Sequence, residues 1–108
     1  MSKANEVINF YEMASLQPSD TNTSLTIWID EVGKDRKGKH NLPRLKVVYN
    51  GKYLPVLIDA KPKVLEGDIP SKYFNKISEW IILNLDLLLK HWNQELTTME
   101  LFQAIKKL

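Results

Sequence analysis

The sequence has no cysteine, few glycines and no apolar run long enough to cross a membrane. Without cysteine the chain cannot build a disulfide framework, a zinc–thiolate cluster or a thiol nucleophile. Its longest apolar stretch, Trp80 to Leu89, is interrupted by Asn84 and Asp86, whereas a membrane span needs about 20 apolar residues. The first residues lack the long apolar core of a secretory signal. These absences predict a cytoplasmic protein with no membrane contact.

The chain has 108 residues, of which 44% are hydrophobic and 26% charged, values that are ordinary for one globular domain. The net charge of +2 hides an asymmetry, because residues 34–63 carry nine Lys or Arg against two Asp, a local charge of +7. The remainder carries six Lys against eleven Asp or Glu, a charge of −5. This asymmetry predicts an anionic partner for the basic half, although charge runs more often form a solvated loop and polar sheet face.

The N-terminal half predicts one helix followed by strands. Residues 3–16 place apolar side chains on one helical face, and Pro18 is expected to end that helix, so residues 1–18 form an N-terminal helical part. Residues 25–30 and 44–49 alternate with period two, as half-buried strands do, which points Arg44 and Lys46 outward. Asn50-Gly51 between two strand-like runs predicts a type I′ hairpin turn.

The C-terminal half predicts a last strand or two and then helices. Residues 52–58 return as a strand in which Pro55 indicates an edge or a bulge, and residues 63–66 are a candidate fourth strand, so the strands fill residues 25–67. The helical part, residues 70–108, has a long helix that is apolar nearly all round and therefore buried. Asp68 is expected to cap this helix. A capping box of Thr97 and Glu100 opens a short last helix.

Together these patterns predict one α+β domain over residues 1–108, with an N-terminal helix, a three- to four-stranded antiparallel meander, a long buried helix and a short C-terminal helix. The core is expected to contain the apolar side chains Leu45, Val47, Ile77, Trp80, Ile81, Leu88 and Trp92. Asn84 interrupts the long helix, and its side chain either bonds inside the protein or faces a partner.

No motif in the sequence specifies an enzyme, a metal or a cofactor. Residues 33–40 nearly spell a phosphate-binding P-loop, but His40 stands where Ser or Thr should hold Mg²⁺, and a strand is predicted where a helix should follow. His40 and His91 have no spacing typical of metal ligands. Neither histidine belongs to a recognisable nucleophile motif. We therefore predict no catalytic residue, no metal site and no cofactor.

Three segments carry a family resemblance. They are His40-Asn41-Leu42-Pro43-Arg44-Leu45-Lys46-Val47, Val64-Leu65-Glu66-Gly67-Asp68-Ile69-Pro70, and Trp80 with Leu88 through Trp92-Asn93. Over roughly residues 25–95 the chain resembles a family of small bacterial domains of unknown function that have a PHxHV-type strand motif and a C-terminal LLxxWN helix. The two histidines of that strand motif are replaced here by Arg44 and Lys46, which removes any acid–base or metal role they would have. The resemblance implies a regulatory or accessory role, of the toxin–antitoxin or mobile-element kind.

We therefore predict a non-enzymatic binding or regulatory module with a protein partner, acting through a basic loop and strand face. Two alternatives stay open: a nucleic-acid-binding protein that contacts phosphates with residues 34–46, and a phage or mobile-element inhibitor that binds a host protein. The sequence leaves the oligomeric state open, with a homodimer among the possible states. The predicted binding residues are Lys34, Arg36, Lys37, Lys39, His40, Arg44 and Lys46.

Overall fold

The computed structural model describes residues 13–30 and 42–108. The strands are β1 (Met13–Leu16), β2 (Ile27–Asp30), β3 (Arg44–Tyr49) and β4 (Lys52–Leu57). The helices are α1 (Pro18–Thr21), α2 (Ser71–Leu83), α3 (Leu85–Trp92) and α4 (Thr98–Ala104). The predicted α+β class is confirmed, with the strands in the N-terminal part and the longer helices in the C-terminal part.

The four strands form one antiparallel sheet in the order β1-β2-β3-β4. Because side chains alternate between the two faces of a strand, Ile27, Leu45 and Val56 all point to the side that the helices cover, and each is fully buried. The helices contribute Ile77, Trp80, Ile81, Leu88 and Leu101 to the same core. The predicted core residues are therefore buried except Trp92, which is half-buried.

The predicted N-terminal helix is wrong for its last residues, because Met13–Leu16 is strand β1. Ala14 pairs with Ile29 and Leu16 with Ile27, so the apolar side chains gain burial in a sheet that the helical pattern could not anticipate. Residues 3–12 of that prediction lie outside the described residues. Pro18 does not end a helix but begins α1, where its missing N–H costs nothing.

The Asn50-Gly51 turn is confirmed as a hairpin turn of the predicted kind. Both residues have positive φ, 56° and 77°, as a type I′ turn requires. Residues 63–66 form no strand of their own, but Val64 bridges to Val56 on the far side of β4. Pro55 lies within β4, the last strand of the four-stranded sheet. Its carbonyl accepts from the Leu65 amide, so the N–H that proline lacks would also have faced away from β3.

The long helix is two helices that meet at Asn84. The Asn84 side chain is 1% exposed, and it turns from the helix to bind the backbone of Lys106. Its Nδ2 donates to the Lys106 carbonyl at 2.9 Å, and its Oδ1 accepts from the Lys106 amide at 2.8 Å. Asn84 is thus satisfied inside the protein, as buried polar groups usually are.

The caps of the longer helices were predicted with unequal success. Asp68 does not cap α2, because Pro70 stands at the N-cap position and Asp68 lies exposed before it. The capping box of α4 is confirmed, since Thr97 Oγ1 accepts from the Glu100 amide at 3.1 Å and the Glu100 carboxylate accepts from the Thr97 amide at 2.9 Å.

The C-terminal segment, residues 105–108, returns to the start of the described chain. The Leu108 amide donates to the Thr21 carbonyl at 3.0 Å, and Asn22 Nδ2 donates to the Leu108 carbonyl at 3.2 Å. Together with the Asn84–Lys106 pair, these bonds hold the segment between the α2–α3 junction and α1. We refer to this set of contacts as the C-terminal clasp.

Candidate binding surface

The side of the sheet that faces away from the core is the candidate surface, and we call it the outer face. Strand register assigns its members, because residues paired in adjacent strands point to the same side. Trp28 pairs with Lys46, Lys46 with Pro55 and Val48 with Tyr53. The outward strand positions with described side chains are Ser15, Trp28, Arg44, Lys46, Val48, Tyr53, Pro55 and Leu57. Lys63 and Leu65 lie opposite Leu57 and Pro55, to which they are joined by backbone hydrogen bonds on the far side of β4.

An aromatic pair occupies the middle of the outer face. The rings of Trp28 and Tyr53 have centroids 5.7 Å apart and planes tilted by 57°. They come from strands on either side of β3, so the two side chains lean toward each other over β3, near Val48. Tyr53 is 52% exposed, although a ring of this size normally gains from burial. The pair therefore offers aromatic surface to solvent or to a ligand.

Among the outward positions with described side chains, the charged residues are basic. Lys46 lies directly opposite Trp28, and Lys63 lies beside Leu57, because Leu57 donates its amide to the Lys63 carbonyl. No carboxylate occurs among the outward positions whose side chains are described. A surface with this composition is attractive to an anion.

Arg44 corrects the prediction of an exposed basic strand face. Its side chain is only 8% exposed, its guanidinium lies 5.6 Å from the centre of the Trp92 ring, and it donates to the Leu42 carbonyl at 3.4 Å. Guanidinium groups pack well on aromatic rings because they are planar and weakly hydrated. Arg44 therefore acts as a packing residue between the sheet and α3.

The other predicted binding residues are Lys34, Arg36, Lys37, Lys39 and His40, and all of them lie outside the described residues. Of the predicted set, only Arg44 and Lys46 can be placed. The sequence reasoning missed Trp28 and Tyr53. Their signal was present in the period-two pattern, since Trp28 lies between the inward residues Ile27 and Ile29 and so had to point outward.

The described histidine, His91, is part of the packing between α3 and α4. Its Nε2 lies 2.9 Å from Thr98 Oγ1, and the two residues are 4% and 8% exposed. A nucleophile must be reached by its substrate, whereas this hydroxyl is covered. We therefore interpret the pair as a structural link. Within residues 13–30 and 42–108, no three acidic or histidine side chains are grouped as a metal site would need.

Among the described helices, none has the length and apolar character needed to cross a bilayer. Comparison of the chain with known protein families, with curated proteins and with solved structures finds no match.

Proposed function

We propose that this chain is a non-catalytic binding module that contacts an anionic partner through the outer face. One observation carries the proposal: the Trp28–Tyr53 pair, in which Tyr53 is 52% exposed, lies next to Lys46 on the outer face, and Lys63 follows farther along β4. Exposed aromatic side chains are typical of binding surfaces, and lysines beside them attract an anionic partner. The opposite face of the same sheet is fully used by the core, so binding and folding are assigned to different faces.

The family resemblance adds a biological setting to this proposal. A small accessory or regulatory protein of a bacterium or mobile element acts by binding a partner molecule. A rigid sheet suits that task because it holds the contact residues in fixed positions. The chain carries further basic residues between positions 34 and 40, which lie outside the described residues. The proposal does not depend on them, because Lys46 and Lys63 belong to the described sheet region.

Affinity capture with matched variants tests the proposal. Wild-type protein, a Lys46→Glu/Lys63→Glu variant and a Lys76→Glu control are immobilised and exposed to extract of the native host, with and without nuclease. Lys76 is exposed on α2, so its reversal changes the net charge without touching the outer face. We expect wild type and control to retain the same material and the double variant to lose it.

The control separates a specific surface from a general charge effect. Equal loss in the Lys76→Glu control would show that net charge alone controls capture, and unchanged capture by the double variant would contradict the proposal. Material that survives nuclease identifies a protein partner, including a host protein bound by a mobile-element inhibitor. Material that nuclease removes identifies nucleic acid.

A further inference from the structure

We infer that the outer face binds single-stranded nucleic acid, with bases stacked on the Trp28–Tyr53 pair and backbone phosphates held by Lys46 and Lys63. The inference rests on the proposed function and names the partner of that same surface. In this arrangement bases stack on the rings while phosphates pair with the lysines, so one ligand engages both kinds of side chain.

Tyr53 supplies an exposed aromatic ring on which a base can stack. Tyr53 is 52% exposed, whereas its neighbours Leu54 and Val56 point to the core and are buried. Every nucleobase has a flat π-face that stacks on such a ring whatever the base sequence. Trp28 stands 5.7 Å away at a tilt of 57°, so the two rings do not form one flat plane. They instead form two walls that can hold a base against either ring.

Lys46 and Lys63 lie where they can contact the phosphates of a strand that is stacked on the rings. Lys46 is the cross-strand neighbour of Trp28 and the diagonal neighbour of Tyr53, which places its Cβ within roughly 5–8 Å of both aromatic residues. Lys63 lies farther along, beside Leu57, and the four residue steps of β4 from Tyr53 to Leu57 span about 13 Å. A nucleic-acid strand that stacks on the rings therefore passes Lys46 first and Lys63 next.

The broad aromatic surface of the outer face favours single strands over duplex. Stacking needs bases whose faces are free, and in a duplex those faces are hidden between neighbouring pairs. The outer face spans several adjacent strands, which is too broad for a groove but suits bases laid across it. Sheets with exposed aromatic residues bind single strands in this way.

Fluorescence anisotropy with labelled oligonucleotides of about 12 nucleotides, a length within the range of known single-strand sites, tests the inference. The full chain should bind single-stranded DNA or RNA more tightly than duplex DNA of equal length, and more tightly than heparin, which has charge but no bases. Tyr53→Ala should weaken binding about tenfold, as expected for one lost stacking contact. Tyr53→Phe keeps the ring and should retain the wild-type affinity, as should the Lys76→Glu control.

Salt dependence gives an independent reading of the phosphate contacts. For single strands the log–log slope changes by about 0.7 for each phosphate neutralised, so Lys46→Ala and Lys63→Ala should each reduce the slope by about that amount. Tyr53→Ala should weaken binding without altering the slope.

Several results would overturn the inference. They are equal binding of duplex and single strand, wild-type affinity in Tyr53→Ala, or no oligonucleotide binding at low salt. Oligonucleotides can fail to bind while the Lys46→Glu/Lys63→Glu variant fails to capture nuclease-resistant material that the wild type retains. In that case the proposed function stands and the partner is an acidic protein. If that variant also captures normally, both the function and its partner are wrong. Urea unfolding of Tyr53→Ala confirms that the variant is folded, as its half-exposed position predicts.

Discussion

Replacing Asn84 by alanine removes the hydrogen bonds that join Lys106 to the α2–α3 junction. Asn84 makes two bonds to Lys106 and one to the Trp80 carbonyl, with lengths of 2.9, 2.8 and 3.1 Å. The Trp80 carbonyl also accepts from the Asn84 backbone amide, so its loss of the side-chain bond is partly compensated. The two Lys106 groups lose the partner that Asn84 gives them.

The expected loss in the free energy of unfolding follows from these contacts. Each intramolecular hydrogen bond contributes about 0.5–1.5 kcal/mol net, and a buried group left without a partner costs about 1–3 kcal/mol. Because Asn84 is 1% exposed, its truncation also leaves a small cavity. We expect Asn84→Ala to lower the free energy of unfolding by about 2–4 kcal/mol, a large part of an ordinary domain's stability.

Urea unfolding measures this loss, and amide hydrogen exchange locates it. Protection should fall first at the amides of Lys106 and Leu108, which the clasp holds. Asn75→Ala is the matched control, because Asn75 is exposed on α2 and alanine has the higher helix propensity. A change below about 0.5 kcal/mol in Asn84→Ala, the size expected of an ordinary surface substitution, would refute the role given to this side chain.

A carboxylate at position 84 adds a test by pH. When protonated, the new side chain of Asn84→Asp can donate to the Lys106 carbonyl and accept from the Lys106 amide, but when ionised it faces the carbonyl without a proton. Burial should raise the pKa of this carboxyl above its unfolded value of about 3.9. The variant should therefore be closest to wild type below that pH and lose relative stability as pH rises through the folded-state pKa. A constant difference from pH 3 to 7, about the range in which such a carboxyl titrates, would contradict this.

The remaining predictions concern packing and backbone conformation, each measured by urea unfolding. Trp80→Ala should cost about 3–5 kcal/mol, because the ring is 0% exposed, and a shift below about 1 kcal/mol would place the ring outside the core. Trp80→Phe should cost much less, since it also removes an indole N–H without an acceptor among the described residues. Gly51→Val should cost about 1–2 kcal/mol from positive φ alone, because nothing lies within 4 Å of its Cβ position; Gly51→Asn should be nearly neutral, and equal costs would refute the turn assignment. Gly67→Ala should cost about 1–3 kcal/mol, because Gly67 has a φ of 82° and its Cβ would lie 2.8 Å from the Leu54 side chain. Wild-type stability of this variant would show that the Leu54 side chain moves aside at no cost.

The parts of the fold that sequence could predict are those with a local physical signature. Asn50-Gly51 specifies its turn because few residues tolerate positive φ, and the Thr97–Glu100 box specifies a helix start through bonds between neighbours. The segment at Met13–Leu16 lacked such a signature, because its spacing suits one helical face and its strand state depends on pairing with β2. The break at Asn84 was equally non-local, since its partner Lys106 is 22 residues away.

The candidate surface shows the same division between local and distant information. Alternation in β3 placed Lys46 correctly, but it could not reveal that Arg44 is covered by Trp92, a residue from a distant helix. The meeting of Trp28 and Tyr53 depends on the register of three strands, which no single segment encodes. The charge asymmetry drew attention to the basic loop, whereas the exposed aromatic residues became visible only with the sheet in place.

The C-terminal clasp has a consequence for the order of folding. Asn22 and Leu108 are 86 residues apart in sequence, so closing that loop is entropically expensive until the sheet and α2 have brought its ends together. The hairpin between β3 and β4 is local and can form early. We therefore expect the clasp to form after the rate-limiting step. A substitution that loosens it should then leave the refolding rate nearly unchanged and accelerate unfolding, so that the clasp acts mainly on how long the native state persists.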